Sequence, residues 1–403
     1  MTLIKPLKAI RAKRDKVSLV ASRSYLTYTK KTLLEKLENN PYTFLHIINP
    51  DYSDNLNVKS RKEKNMLVRN KFLSFIEKGI FFEESKECLY VYQQTKGIKK
   101  YTGIIGGASL EDYNKGKIKI HEKTIFSREK MFGEYLNETG FNAEPVLLAY
   151  KKNKEINKIL NEIIKSRAEY EFSTTNKVTH KLWVINNKEI INKIQHEFKS
   201  VQNTYIADGH HRMASSALLF NKNNLTSNAF CLSLFIADDE LDVLNFNRLI
   251  KDLNGLTNEE FLNSLEKSFF IRKKSFPFDP KKENEIGMYL NRSWYSLTYK
   301  FDINDIESIV DRLDPSIVTN KILEPILNIK NLRNNKKIDF IDGENINRAI
   351  ELVDKQKYKA VFIVKKISTK DIFTVADQGL TMPPKSTYIF PKLRSGLIIY
   401  KFT

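Results

Sequence analysis

A chain of 403 residues with 41% hydrophobic content carries enough apolar material for a sizeable core, which excludes a disordered chain and a mini-protein. No stretch approaches the roughly 18 to 20 consecutive apolar residues of a membrane-spanning helix. Lysine and arginine number 67 against 48 acidic residues, a formal net charge of +19, but lysine is scattered through nearly every polar face beside abundant asparagine and isoleucine. That pattern reads as solvated surface rather than a dedicated nucleic-acid track.

Residues 1–16 alternate bases with aliphatics and lack the apolar block of a secretory signal, so a soluble cytoplasmic protein is expected. Residues 33–39 predict a short helix ended by Asn39-Asn40-Pro41, and residues 42–48 (YTFLHII) a buried strand stopped at Asn49-Pro50. Residues 61–78 place Met66, Leu67, Phe72, Phe75 and Ile76 on one helical face. Residues 88–93 and 102–108 predict paired strands, and helices follow at 156–168 and 188–198. Cys88 and Cys231 lie in apolar runs and are expected as small buried hydrophobes.

The middle of the chain alternates strand and helix: LWVINN, KEIINKIQHEF, NTYIA, MASSALLF and FCLSLFIADD. Strands separated by helices of about ten residues mark an α/β layer. Beyond residue 255 a helix at 258–267, a hairpin of GMYL with WYSLTYKF and a helix at 316–326 are predicted, and the chain ends in a strand. The expected fold class is mixed α/β (α+β), in three segments: 1–170, with a His-Glu segment; 171–255, the α/β core; and 256–403, an α+β region.

The most specific local feature is Asp208-Gly209-His210-His211-Arg212, where an apolar strand runs through a tight turn into a small-residue helix. Helix starts attract anions through free N–H groups and the helix dipole. Two histidines and an arginine add donors for a polyphosphate, and Asp208 is a candidate to hold Mg²⁺. The competing reading is a transition-metal site on His210 and His211, completed by His46, His121 or a carboxylate. A second candidate is Lys119-Ile120-His121-Glu122-Lys123-Thr124, in which Glu122 is a candidate general base for a hydroxyl and His121 and Thr124 candidate substrate contacts. The third is the Pro383-Pro384-Lys385-Ser386-Thr387 loop, whose Lys385 and Ser386 suit a phosphate or carboxylate; its spacing is not that of a Walker loop.

Taken together, IADGHHR, IHEKT, NPYTFLHIINP, NFNRLIKDLNG, the run from ILEPILNIK to DFIDG, and MPPKSTYIFPKLRSGL resemble the bacterial and archaeal family called domain of unknown function 1015, in order along nearly the whole chain. The DGHHR element also resembles the phosphate-binding element of the ParB/sulfiredoxin-like superfamily, which includes free-serine kinases, nucleotide-hydrolysing partition proteins and sulfiredoxin. That resemblance implies a ParB/sulfiredoxin-like core with α+β flanks, ATP or ADP with Mg²⁺ on Asp208, Gly209, His210, His211 and Arg212, and phosphate transfer to a small metabolite, L-serine first. It does not locate the base, because the kinases' N-terminal glutamate has no clear counterpart here; Glu122 is inferred from its surroundings. The family's Pro-Tyr-Asp-type turn is replaced by Ala21-Ser22-Arg23-Ser24-Tyr25-Leu26, where Arg23 remains for a substrate carboxylate. The alternatives are a nucleotide-dependent DNA-associated switch, against which the lack of a helix-turn-helix or basic arm speaks, and a nucleotide-binding protein without turnover.

Overall fold

The computed structural model describes residues 2–24, 27–53, 60–222 and 229–402. Tyr25 and Leu26 of the altered N-terminal turn lie outside the described residues. The chain forms two compact units, one of residues Met1–Leu241 with Pro391–Thr403, the other of residues Asp242–Phe390. Both mix helices with sheets, as expected. Among the described residues no helix is long and apolar enough to cross a membrane.

The first unit is built on a nine-stranded sheet. Its order is Ile118–Lys119, Thr204–Asp208, Val146–Tyr150, Phe230–Ala237, Lys99–Ser109, Leu89–Lys96, Val178–Ile185 and Tyr170–Ser173, with Ile4–Lys5 added along Lys99–Ser109. Two neighbouring pairs are parallel, Thr204–Asp208 on Ile118–Lys119 and Phe230–Ala237 on Val146–Tyr150. Every residue of Phe230–Ala237 and Val146–Tyr150 is buried, the pattern of strands covered on both faces. The strands at 170–185 belong to the same sheet as those at 89–109, so residues on either side of position 170 share one hydrophobic core. Asparagine, abundant in this sequence, caps the helices Lys154–Ile163 and Lys188–Phe198 through Asn153 and Asn187, each side chain accepting from two backbone N–H groups. Both cysteines are buried and free.

In the second unit a six-stranded antiparallel sheet runs Phe269–Lys274, Ser293–Tyr299, Glu285–Leu290, Ala360–Val364, Phe246–Ile250, Ile338–Asp342. Along Ala360–Val364 the side chains alternate between two cores, Ala360, Phe362 and Val364 on one face and Val361 and Ile363 on the other. The expected hairpin is present, closed by Asn291 and Arg292 with φ of 45° and 57°.

Two expected elements differ. Residues 42–48 do not form a strand: Leu45–Ile48 is a short helix. Pro41 and Pro50 leave it no room for a ladder, and its apolar side chains instead meet a helix and an aromatic cluster, Phe44 standing 6.4 Å from Phe81. The helix expected at 316–326 starts earlier with Pro315 in its first turn, at Asp314–Val318, and widens into a π-helical turn over Thr319–Leu323.

Candidate active site

The Thr204–Asp208 strand pairs with Val146–Tyr150, and its register shifts between Ile206 and Asp208. Such a bulge re-aims the side chain that follows it, here the Asp208 carboxylate. Gly209 then turns the chain at φ +99°, and its carbonyl accepts the first helical bond, from Met213 N–H at 3.0 Å, opening the His210–Lys222 helix. A Cβ on Gly209 would stand 2.9 Å from Arg212 Nε, so glycine is required both for the turn and for the arginine beside it. Gly209→Ala is accordingly expected to cost about 1–3 kcal/mol of stability, read as a lower denaturant midpoint at unchanged m-value.

Four charges close a ring around this turn. Arg212 Nη2 donates to Asp208 Oδ2 at 2.7 Å, and Arg212 Nη1 lies 2.8 Å from Glu144 Oε1 and 2.5 Å from the Pro145 carbonyl. Lys392 Nζ donates to Asp208 Oδ1 at 3.2 Å, and Ser395 Oγ donates to Glu144 Oε2 at 2.9 Å. Burial alone would raise the Asp208 pKa; the fields of Lys392 and Arg212 override it and hold the carboxyl well below its ordinary range. Burial works against the Arg212 charge as well, and Glu144 and Asp208 more than offset it, raising its pKa. Two carboxylates and two cations leave the ring without net charge.

The two sequence candidates for chemistry meet here. His210, 5% exposed, accepts the backbone N–H of His121 on Nε2 at 3.4 Å, so its own proton sits on Nδ1, 3.8 Å from Glu122 Oε2. His211 Nε2 accepts the backbone N–H of Ile125 at 3.1 Å. Both histidines therefore dock residues 121–125 onto the helix start and deliver Glu122, whose side chain is 37% exposed. Burial lowers the His210 pKa to about 4, with Asp208 opposing and His211 and Arg212 adding to the shift. The ring is neutral at neutral pH.

His121 was expected to touch substrate, but it is 1% exposed, edge-on to His210 with ring centroids 4.6 Å apart. Among the described residues neither of its ring nitrogens meets a partner in good hydrogen-bond geometry, and the Ile206 backbone nearby favours its charged form only weakly against burial. Thr124 Oγ1 donates to Glu129, just inside the Phe126–Thr139 helix. Lys385 and Ser386 belong to the second unit, where Lys385 Nζ lies 5.1 Å from the Phe246 ring centre and Ser386 Oγ donates to the Pro383 carbonyl at 2.8 Å. Arg23 is half-buried beside Tyr28, its guanidinium 5.1 Å from that ring.

The residues present do not fit a resident Mg²⁺ on Asp208, because each carboxylate oxygen already faces a cation. Among the described residues no group of three or more His, Cys, Asp and Glu side chains is placed to hold a metal, and His46, offered for a transition-metal site, turns Nε2 to the Asn40 carbonyl at 3.1 Å. Sequence reasoning missed two members of the ring. Lys392 lies in the PKLRSG run quoted for its resemblance, seven residues past the lysine chosen there; Glu144, in a loop between strands, carries no local signal.

No curated protein matches the chain. Solved structures similar to it include a free serine kinase in complex with AMP, at 15% identity and TM-score 0.36, covering 72% of this chain and 87% of that one. A conserved hypothetical protein from Pyrococcus furiosus matches at 13% identity and TM-score 0.37, over 73% of this chain and 92% of that one. SbnI with a C-terminal truncation, from Staphylococcus aureus, matches at 11% identity and TM-score 0.37, over 71% and 82%. The family model described as "Protein of unknown function (DUF1015)" covers residues 4–316, and the chain belongs to that family.

Proposed function

We propose that the protein binds a nucleotide by its phosphates at the 209–212 turn and transfers a phosphoryl group to the hydroxyl of a small metabolite, L-serine being the first acceptor to test. The observation that supports this reading is Glu122, a half-exposed carboxylate delivered by two histidines to the N-terminus of a 13-residue helix. Phosphoryl transfer needs that pairing of a base for the hydroxyl with an electropositive cradle for the phosphates. In the step, the acceptor oxygen bonds the terminal phosphorus of ATP or ADP as the bond to the bridging oxygen breaks. The hydroxyl proton passes to Glu122, and the displaced nucleotide leaves with the electron pair. The helix start and Lys392, 32% exposed and the more solvent-facing cation of the ring, meet the phosphate charge. A divalent ion, where the nucleotide carries one, enters as part of that substrate.

A second reading, nucleotide binding without turnover, is favoured by Arg212, whose guanidinium is held by Glu144, Asp208 and the Pro145 carbonyl rather than left open to a phosphate. Incubation with L-serine and either ATP or ADP, followed by ³¹P NMR and mass spectrometry, separates the two. O-Phosphoserine forming with matching loss of nucleotide is the expected result. Nucleotides that raise Tm yet remain intact with every hydroxyl acceptor tried would establish binding alone.

A further inference from the structure

On the far side of Lys392 the same segment builds a second polar cluster that phosphoryl transfer does not use. Ser22 and Ser395 exchange both backbone hydrogen bonds, at 3.2 and 2.8 Å, as an isolated antiparallel bridge. Antiparallel register then sets Arg23 opposite Arg394, where like charges facing each other are destabilising. Arg394 is 7% exposed, and its only hydrogen bond among the described residues runs from Nη2 to Asn176 Oδ1 at 3.1 Å. Its Nε is buried without an acceptor, and no carboxylate pairs with either arginine among the described residues. Burial lowers the Arg394 pKa; Tyr92 and Tyr28 support its charge and Arg23 opposes it. Behind it His180, 1% exposed, joins Nδ1 to Tyr92 Oη at 2.7 Å, and its Nε2 has no hydrogen-bond partner among the described residues. Gln94 Nε2 ties the cluster to the first site, donating to Tyr92 Oη at 3.1 Å and to the Lys392 carbonyl at 2.9 Å.

A buried guanidinium with an orphaned donor, set against a second guanidinium and given no anion, is an expensive arrangement for a protein to keep. We propose that Arg394 and Arg23 form an oxyanion site that takes the carboxylate of a small organic acid. The planar fork of a guanidinium matches a carboxylate, and the half-buried Arg23, opposite in the bridge register, supplies the second cation. Tyr28 Oη accepts the Arg23 backbone N–H at 3.2 Å and Tyr92 Oη is held by His180 and Gln94, so neither brings a competing charge. The site stands independently of phosphoryl transfer, and its test contains no nucleotide.

Thermal shift and calorimetric titration of the full chain with L-lactate, lactamide, L-serine, L-serinamide and inorganic phosphate, at matched ionic strength, decide it. A saturable rise in Tm with lactate or serine, absent with the two amides, is expected. Arg23→Ala is expected to weaken that binding at least tenfold with little change in the unliganded Tm. Arg394→Met is expected to abolish it while raising the unliganded Tm, because an uncompensated buried charge is removed; a purely structural arginine would lower Tm instead. Amides that bind as well as the acids, affinities unchanged in both variants, or no binding at all would overturn the proposal. Phosphate binding with the same dependence on both arginines in place of the carboxylates would overturn its ligand class. Serine held here, with nucleotide left intact by every hydroxyl acceptor in the separate transfer assay, would leave this site standing and remove the transfer reading.

Discussion

Glu122→Gln is expected to slow phosphoryl transfer by about 10²–10⁴-fold, the usual contribution of a positioned general base, with nucleotide affinity close to wild type. The substitution keeps the shape of the side chain and removes only its capacity to take a proton. Residues 121–125 stay docked through the two backbone N–H bonds to His210 and His211, since Glu122 itself stands 3.8 Å from His210 Nδ1 and does not carry the docking. The separation of effects is the test: rate falls while the nucleotide-induced rise in Tm persists. Equal loss of both would make Glu122 a positioning residue of the turn. An unchanged rate would place the base elsewhere.

Acid is expected to unfold the first unit well above the pH at which its carboxylates titrate. His121, His180 and His210 are buried and neutral, with pKa values lowered from 6.5 to about 3, 3 and 4, burial being the largest cause in each case. A depressed histidine pKa means that the unfolded chain takes up protons before the folded one. The stability tied to these rings is therefore complete above pH 6.5 and is lost as pH falls from 6.5 toward 4. Each proton costs about 1.4 kcal/mol per pH unit, so the three together remove roughly 5 kcal/mol between pH 7 and pH 5, comparable with the whole stability of a modest domain. Asp208 acts in a lower range, because its depressed pKa adds stability that disappears only below the ordinary carboxylate value of 3.8. Glu240, raised by burial, works in the opposite sense and trims the slope. Urea midpoints at pH 7, 6 and 5 read the effect, and His180→Phe is expected to flatten the slope by close to one proton. A slope below one proton in the wild-type chain would contradict the three neutral rings.

The parts of the molecule visible in the sequence are those in which local chemistry and tertiary packing agree. The run from Tyr205 through Ala217 reads as strand, turn and helix because glycine, small residues and alternating apolar positions all demand it, and the structure follows. The hairpin was legible through its two β-rich runs, GMYL and WYSLTYKF, while its Asn291-Arg292 turn appeared only in the structure. Residues 42–48 misled because β-branched and aromatic residues describe what fits a half-buried surface, and here that surface is a helix groove beside Phe72 and Phe81. Within the candidate site, chemistry concentrated at 208–212 and 121–124 was visible, but the convergence of the two was not, since it depends on backbone N–H groups that any residue at 121 and 125 would supply. Glu144 and Lys392 were hidden by distance along the chain, lying 68 residues from Arg212 and 184 from Asp208.

That last separation has a consequence for how the protein comes into being. Asp208 leaves the ribosome with its strand and helix, but the lysine that faces one of its oxygens follows 184 residues later, after the whole of the second unit. At synthesis rates of about 5–20 residues per second the interval is on the order of ten to forty seconds. During that time Arg212 alone balances two carboxylates, Asp208 and Glu144, and Ser22 lacks the partner strand that brings Arg394 to Arg23. Both proposed sites are thus completed by one short returning segment, so neither can engage its ligand until the nascent chain has been made through residue 395.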